Sequence, residues 1–572
     1  MKTIIEILTE RLSAAFSACG YSAEHGAVKL SDRPDLCQFQ CNGAFSAAKI
    51  YKKSPAVIAG EATAKLQSDS IFKKISVMGP GFINIDIGDS FLLTYTAEML
   101  SDEHLGIKQS EKGEMIFLDY GGPNAAKSLH VGHLRSAIIG ESLKRLAAAT
   151  GRKTVSDVHL GDWGLQMGLF IAELEDRNSG GEITLSGSEW SEIYPIASQK
   201  SKEDENFKQR AQEITAKFQR GDSNYLSLRK QIMKISIPEI KEIYKMLGVS
   251  FDLWHGESDS EQYVPELIGK LKSKSLLQES FGAKVVDVSE PDDNPAIPPV
   301  IIKMSNNASG YATTDLATII ERETLFHPDE LWYVVDNRQS LHFTQVFRCA
   351  RKASLVPEKT AIHHLGFGTM NGSDGKPFKT RDGGVMKLTD LYDKVYSATS
   401  SRVEASSFSE NADKKEIAHK ITLAAIKFGD LMNHRSKNYI FDIEKFTASE
   451  GKTGAFLLYT VARINSVLRK AAPEHTDAVP EQIYSDTERV LMLTLALSNE
   501  AFELAYKEKA PNIICDNAYK IASAFSKFYS ENHIISESDI SKKSAWLSLC
   551  LATKTMLQKH LDILGIEPVE IM

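Results

Sequence analysis

The 572-residue chain is 42% apolar and 25% charged, ordinary proportions for folded globular proteins and too apolar for a disordered one. Its length implies about three or four domains. A net charge of −8 argues against an indiscriminate nucleic-acid coat but not against RNA held by local basic patches. No apolar run approaches the roughly 18 residues of a membrane span, so no membrane partner is expected. Met1 to Leu12, with Glu6 and Glu10, reads as the start of a helix rather than a leader. Residues 1 to about 110 mix short helical and strand-like pieces. Met78-Gly79-Pro80-Gly81 is a turn, and Phe82 to Ile87 alternates apolar and polar residues as a half-buried strand does. Polar Lys108 to Gly113 marks the first boundary.

Met115 to Thr150 reads as strand, glycine-bearing loop and helix. Met115-Ile116-Phe117-Leu118 suits a buried parallel strand, Gly121-Gly122-Pro123-Asn124 breaks it, and a helix is predicted from about Gly132 to Ala149. Residues from about 175 to 300 are charged and helix-rich, with a proline-rich stretch from Asp287 to Pro299, and look like an insertion within an α/β domain. Strand patterns resume at Val300–Met304 and Leu331–Val335. From about 400 onwards the chain is almost continuously helix-forming, with a break near Pro473 to Pro480, as expected of a separate all-α domain.

Two histidines three apart, His130 and His133, fall where the strand-loop-helix unit begins its helix. A helix N-terminus presents free N–H groups and a positive dipole end to phosphate, and imidazoles there can donate to phosphate oxygens without a permanent charge. Gly132 leaves room for an adenine ring against the backbone. Between Gly366 and Gly384 six glycines accompany Lys376, Lys379 and Arg381. A mobile cationic loop of that kind suits charge developing on a phosphate under attack. Tyr311 and Asp315 are four apart, so a helical turn sets them on one face. With Asp119 at the end of the first strand of this unit, they offer carboxylates to a planar cation. Leu457, Val461, Ile464 and Leu468 form an apolar helical stripe, while Arg463 and Lys470 share another face, open to RNA phosphates. Six cysteines form no CxxC pair, and Cys37 and Cys41 lack a histidine at zinc-finger spacing. Free thiols, a reducing cytoplasm and no structural metal are expected.

These strings resemble the class I aminoacyl-tRNA synthetases, the arginyl-tRNA synthetases in particular. His130-Val131-Gly132-His133 is similar to the HIGH signature, Pro123-Asn124-Ala125-Ala126-Lys127 to its PN-x-A-K lead-in, and Leu134 to Gly140 to its HLRS-x-IIG continuation. Gly161 to Gly168 resembles GDWG-x-Q-x-G. Gly310 to Asp315 resembles the family's arginine-binding segment, and Asp336 to Phe343 the segment that closes the active site. Gly375 to Gly384 is similar to the divergent KMSKS loop of bacterial members; Asp382 stands where a second lysine is usual, a charge the family supplies from the lysine before HIGH, here Lys127. Phe39 to Gly43 and Gly79 to Asn84 resemble the extra N-terminal domain. Gly451 to Tyr459 resembles the start of the anticodon-binding domain, with Ala455 and Phe456 departing from its Pro-Tyr.

The resemblance implies an α/β architecture: a Rossmann-like parallel-sheet catalytic domain with an inserted subdomain, an α+β N-terminal domain and an all-α C-terminal domain. The bounds expected are 1–110 for a tRNA-elbow domain, 111–400 for the catalytic domain with its insertion at about 175–300, and 401–572 for the anticodon-binding domain. The activity implied is ATP-dependent ligation of L-arginine to tRNA(Arg) through arginyl-adenylate, releasing AMP and pyrophosphate, with Mg²⁺ on the phosphates and a monomeric enzyme. Carried over residue by residue, His130, His133, Lys127, Lys379 and Arg381 are catalytic. His130, Gly132, His133, Lys379 and Arg381 bind ATP, and Asp119, Asn124, His130, Tyr311, Asp315 and Gln339 bind arginine. Arg463, Arg469 and Lys470 contact tRNA. A small-molecule nucleotidyltransferase would share the histidine motif, and a non-catalytic tRNA-binding paralogue would share the flanking parts. Pyrophosphate exchange with and without tRNA separates the three.

Overall fold

A computed structural model of the chain describes residues 1–178, 190–305, 308–376, 386–405, 413–471 and 480–570. Lys379, Arg381, Gly383, Gly384 and most of the break near 473–480 lie outside the described residues.

The first helix, Ile4–Ala18, starts where the sequence supplies a capping box: Thr3 accepts from the Glu6 amide, and Glu6 accepts from the Thr3 amide. It packs, with the helices Gly43–Tyr51 and Pro55–Ala64, against an antiparallel sheet ordered Val28–Leu30, Phe39–Cys41, Phe82–Ile87, Phe72–Met78. The Phe82–Ile87 strand buries Ile83, Asn84, Ile85 and Ile87, more than simple alternation predicts, because it is an inner strand with a neighbour on each side.

The central sheet is four-stranded and wholly parallel, in the order Ala361–His364, Glu330–Tyr333, Met115–Asp119, Lys153–Asp157. Its register pairs Asp119 with Asp157 on one side and with Tyr333 on the other, and Tyr333 with His364. Four carboxyl ends are therefore level, which in a doubly wound sheet is where ligands bind. The helix Val131–Ala149 follows the Met115–Asp119 strand and starts one residue earlier than the pattern predicts.

The charged segment forms helices Trp190–Glu203, Glu205–Gln219 and Ser223–Met246, then Val264–Ser273. The strand expected at Val300–Met304 is present as Val300–Lys303, but it does not resume the parallel sheet. It pairs antiparallel with Ala283–Val286 in a small three-stranded sheet. Ile301 is half exposed while Val300 and Ile302 are buried, the one-sided pattern an antiparallel strand tolerates and a central parallel strand does not. The helix Tyr311–Phe326 follows and leads back to the central sheet.

The C-terminal part is helical: Leu388–Ala405, Lys414–Leu431, Gly454–Lys470, Asp486–Ala496, Ser498–Glu508, Pro511–Glu531 and Ile540–Ile563, with a two-residue strand Tyr439–Ile440 paired to Met370–Asn371. Arg135 of the Val131–Ala149 helix is 1% exposed, and its Nε donates to Asp430 Oδ2 at 2.9 Å. The same guanidinium donates to the carbonyls of Gly368 and Lys437. This buried pair ties the helix that carries His133 to the helical part. Among the described residues no helix is long and apolar enough to cross a membrane, and all six cysteines are free thiols.

Candidate active site

His130 is the N-cap of the Val131–Ala149 helix. Its Nδ1 accepts from the Gly132 amide at 3.0 Å, and His133 Nδ1 accepts from the His130 amide at 3.1 Å. Because both Nδ1 atoms are acceptors, each neutral imidazole carries its proton on Nε2. Burial, with Lys127 nearby, lowers His130 to about 4; burial and the neighbouring His130 push His133 well down. Both rings are neutral at pH 7 and lie 4.0 Å apart, two Nε2–H donors at a helix N-terminus. A Cβ on Gly132 would stand 2.7 Å from the His130 ring, so only glycine lets the ring fold back to cap the helix. Val131 donates to Met386 and Leu388 to Leu129, which fixes the residues just beyond the cationic loop against this turn. Lys127 lies 5.7 Å from the Tyr194 ring, and burial lowers its pKa.

Of the predicted arginine ligands, Asp119 stands at a strand end, and several already have partners. Asp119 is buried, and its Oδ2 accepts from Arg322 Nη2 at 2.7 Å; the same nitrogen lies 3.4 Å from Asp157 Oδ2. Burial raises the Asp119 pKa against the pull of Arg322. Asp315 Oδ2 lies 2.5 Å from His342 Nε2. Tyr311 is half exposed and its hydroxyl donates to Gln166 Oε1 at 2.6 Å. Asn124 accepts from the Ala126 amide through Oδ1, and its segment pairs with Gly161. Gln339 is exposed at the end of the turn Asn337–Gln339.

Beside Tyr311 is a cavity of about 510 Å³ lined by Trp163, Gly164, Gln166, Glu257, Gly310 and Thr314 among others. Glu257 was not foreseen. Its Oε2 accepts from the Trp163 amide at 3.3 Å, and burial pushes its carboxyl up to about 8, with Asp162 and Asp315 adding to the rise and His159 opposing it. Among the described residues it forms no ion pair, unlike Asp119 and Asp315. It comes from the charged segment where no motif stands out, so only the fold brings it to Tyr311. Gln166 lies inside the GDWG-x-Q string, and its amide both meets Tyr311 and lines the cavity.

In the helical part, Arg463, Arg469 and Lys470 are all exposed on the Gly454–Lys470 helix. Arg463 lies 5.8 Å from the Tyr529 ring, and Arg469 Nη1 donates to the Glu570 carbonyl at 3.2 Å. The predicted apolar stripe is buried at Leu457, Val461 and Ile464, with Leu468 half-buried.

Residues 95–443 match the family model for class I tRNA synthetases (R), catalytic domain; 457–572 match the DALR anticodon binding domain, and 2–87 the arginyl tRNA synthetase N terminal domain. An arginine–tRNA ligase of Alkaliphilus oremlandii is 45% identical over 590 residues, spanning 99% of this chain and 100% of that protein. One of Hyphomonas neptunium is 40% identical, spanning 100% of both. Among solved structures, the arginyl-tRNA synthetase of Plasmodium falciparum shares the fold with a TM-score of 0.86 at 23% identity, and that of Thermus thermophilus with 0.80 at 21%, each covering 100% of both chains. With the histidine turn and an acidic pocket at the carboxyl ends of a parallel sheet, these likenesses show that the chain belongs to the class I arginyl-tRNA synthetases.

Proposed function

We propose that the cavity beside Tyr311 takes the arginine side chain while the His130–His133 turn takes the phosphates of ATP. The two reactants then meet above Asp119 and Asp157. The enzyme ligates arginine to its tRNA, and it does so in two steps. The arginine carboxylate attacks the α-phosphorus, forming arginyl-adenylate as pyrophosphate leaves. The 2′-hydroxyl of the terminal tRNA adenosine then attacks the acyl carbon, and AMP leaves. No side chain becomes covalently attached, so catalysis consists of positioning and charge stabilisation. The Nε2–H groups of His130 and His133 donate to phosphate oxygens, the backbone at Gly132 faces the adenine, and Lys127, Lys379 and Arg381 oppose the charge that builds up on pyrophosphate. Mg²⁺ enters as the counter-ion of ATP; among the described residues no group of three or more His, Cys, Asp or Glu side chains is arranged to hold a metal.

For arginine, Tyr311, Asp315 and Glu257 face the guanidinium, and Asp119, Asn124 and Gln339, with His130, face the ammonium and carboxylate. Asp119 keeps one oxygen beyond Arg322 for this purpose. The observation that carries the reading is the juxtaposition, over one set of strand ends, of two fixed Nε2–H donors with a pocket whose buried Glu257 forms no ion pair among the described residues. We assign residues 1–110 to contact with the tRNA elbow, 111–400 to catalysis and 401–572 to the anticodon, with Arg463, Arg469 and Lys470 on the RNA side. One chain brings all of these together, so a monomer suffices, and free thiols suit the cytoplasm.

Steady-state kinetics with arginine and ATP varied separately tests the pocket. Glu257→Gln and Asp315→Asn should each raise the arginine KM at least tenfold, roughly 1.4 kcal/mol, and leave the ATP KM in place. An unchanged arginine KM in both variants would remove the cavity from arginine recognition, and equal damage to both substrates would point to misfolding.

A further inference from the structure

His159 takes part in no step above, yet the fold holds it in a costly state. Its φ of +44° is a left-handed backbone that side chains rarely adopt. Its side chain is 12% exposed, and neither buried ring nitrogen has a hydrogen-bond partner among the described residues. Nδ1 lies 3.7 Å from Asp157 Oδ2, an ion-pair distance and too long for a hydrogen bond. Acidic groups face the ring from several elements: Asp157 at its own strand end, Asp119 from the next strand, Glu321 from the Tyr311–Phe326 helix and Glu257 from the turn below the cavity. The opposing cation is Arg322, on that same helix. Burial alone would push the imidazole down, but Asp157 and Asp119 outweigh it and hold the ring protonated, at about 9.

Around Glu257 the balance is inverted. Burial, Asp162 and Asp315 all favour its protonated form, and Tyr311 stands beside it; His159 acts on it in the opposite sense, as a cation. Asp162 is itself engaged by Arg229 and offers that cation nothing further to do. A guanidinium entering the cavity needs a carboxylate rather than a carboxylic acid, because only the ionised form accepts two parallel N–H bonds.

We propose that His159 is a positioning residue for arginine recognition: its buried imidazolium favours the ionised Glu257 carboxylate that receives the substrate guanidinium. The proposal rests on the arginine pocket assigned above. Its consequence is a proton released on arginine binding. Below the pH at which Glu257 ionises, the arginine KM falls about tenfold for each unit of pH, then levels off. The Glu257 amide donates to the carbonyl of Leu160, the residue after His159, at 3.0 Å, and removing the imidazolium beside it moves that levelling-off to higher pH, by about one unit or more.

The test uses full-length enzyme with tRNA present and reads arginine KM, ATP KM and kcat for pyrophosphate exchange across roughly pH 6 to 9, the window of a titrating histidine and a raised carboxyl. His159→Asn is the main variant, since asparagine tolerates a left-handed backbone; His159→Gln is the second neutral variant should the first fold poorly. We expect the arginine KM near pH 8 to rise about fivefold or more relative to wild type, with kcat and ATP KM held and the gap confined to arginine. Glu257→Gln should show a raised arginine KM with no such pH dependence, and the double variant should match Glu257→Gln alone. A wild-type pH profile in both neutral variants, or a slope that survives in the double variant, would overturn the role of His159. An unchanged arginine KM in Glu257→Gln would instead overturn the pocket, whatever His159 does.

Discussion

His130 does two jobs with two ring atoms. Nδ1 caps the helix and, in the site proposed, Nε2–H faces the phosphates, so an alanine there removes both. The capping loss costs about 0.5–2 kcal/mol of stability, and the lost donor about 2–4 kcal/mol in the activation barrier. Asparagine separates the two, because it caps a helix well but is too short to present a donor where Nε2–H stands. We expect His130→Asn to melt close to wild type and still exchange pyrophosphate as slowly as His130→Ala. His133→Ala should lose activation rate on the same scale, with less change in arginine affinity than His130→Ala, because it lies one helical turn further in. Thermal melts and pyrophosphate exchange on the three variants decide this, and wild-type exchange rates in His130→Ala and His133→Ala would refute the phosphate role. The histidines could be found from sequence because a local turn builds them. Arg322 could not: it meets Asp119 across 203 residues, and nothing in its own neighbourhood marks it.

At the level of elements, the pattern was readable wherever hydrogen bonding and burial are decided locally. Met115–Leu118 is an apolar run because both faces of a parallel strand are covered, and Val131–Ala149 repeats apolar residues at helical spacing. Val300–Lys303 has an equally apolar sequence, but which sheet it joins depends on Ala283–Val286, a pairing no local pattern states. The Gly454–Lys470 helix lies between these cases. Its buried stripe follows from sequence, and Thr453 caps it by accepting from the Phe456 amide. The use of its exposed face does not follow. Arg463 and Lys470 are two turns apart there, one beside Tyr529 and the other exposed. If RNA phosphates lie along this face, Arg463→Glu and Lys470→Glu should raise the tRNA KM and each reduce the slope of log affinity against log salt by about one. Arginine activation at saturating tRNA should be unaffected. Filter binding at several salt concentrations measures the slope, and an unchanged slope in both variants makes the face merely solvated.

Across the whole molecule, charge is buried where parts of the chain must stay in register: Arg135 with Asp430 between the histidine helix and the helical part, and Arg322 with Asp119 and Asp157 under the site. Such pairs rarely add net stability, but they make the burial of one partner depend on the other. His159 extends the second cluster with a group that titrates near neutral pH, which makes the cost measurable. Its folded-state value of about 9 lies above the usual 6.5 of a free histidine. A group raised on folding binds protons more tightly in the native state. Its contribution is therefore complete below about pH 6.5 and disappears as pH rises through about 9. The full span is about 3 kcal/mol by the scale of one pKa unit to 1.36 kcal/mol. His159→Asn keeps the left-handed turn accessible but removes the titration, so the stability gap between wild type and variant should be widest near pH 6 and close by about that amount toward pH 10. Unfolding followed at matched pH values in both proteins reads the gap directly. A gap independent of pH would mean that folding leaves the His159 pKa unshifted, and a gap that widens toward high pH would mean that the ring is held neutral in the native state; either result removes the buried imidazolium from beneath the proposed arginine pocket.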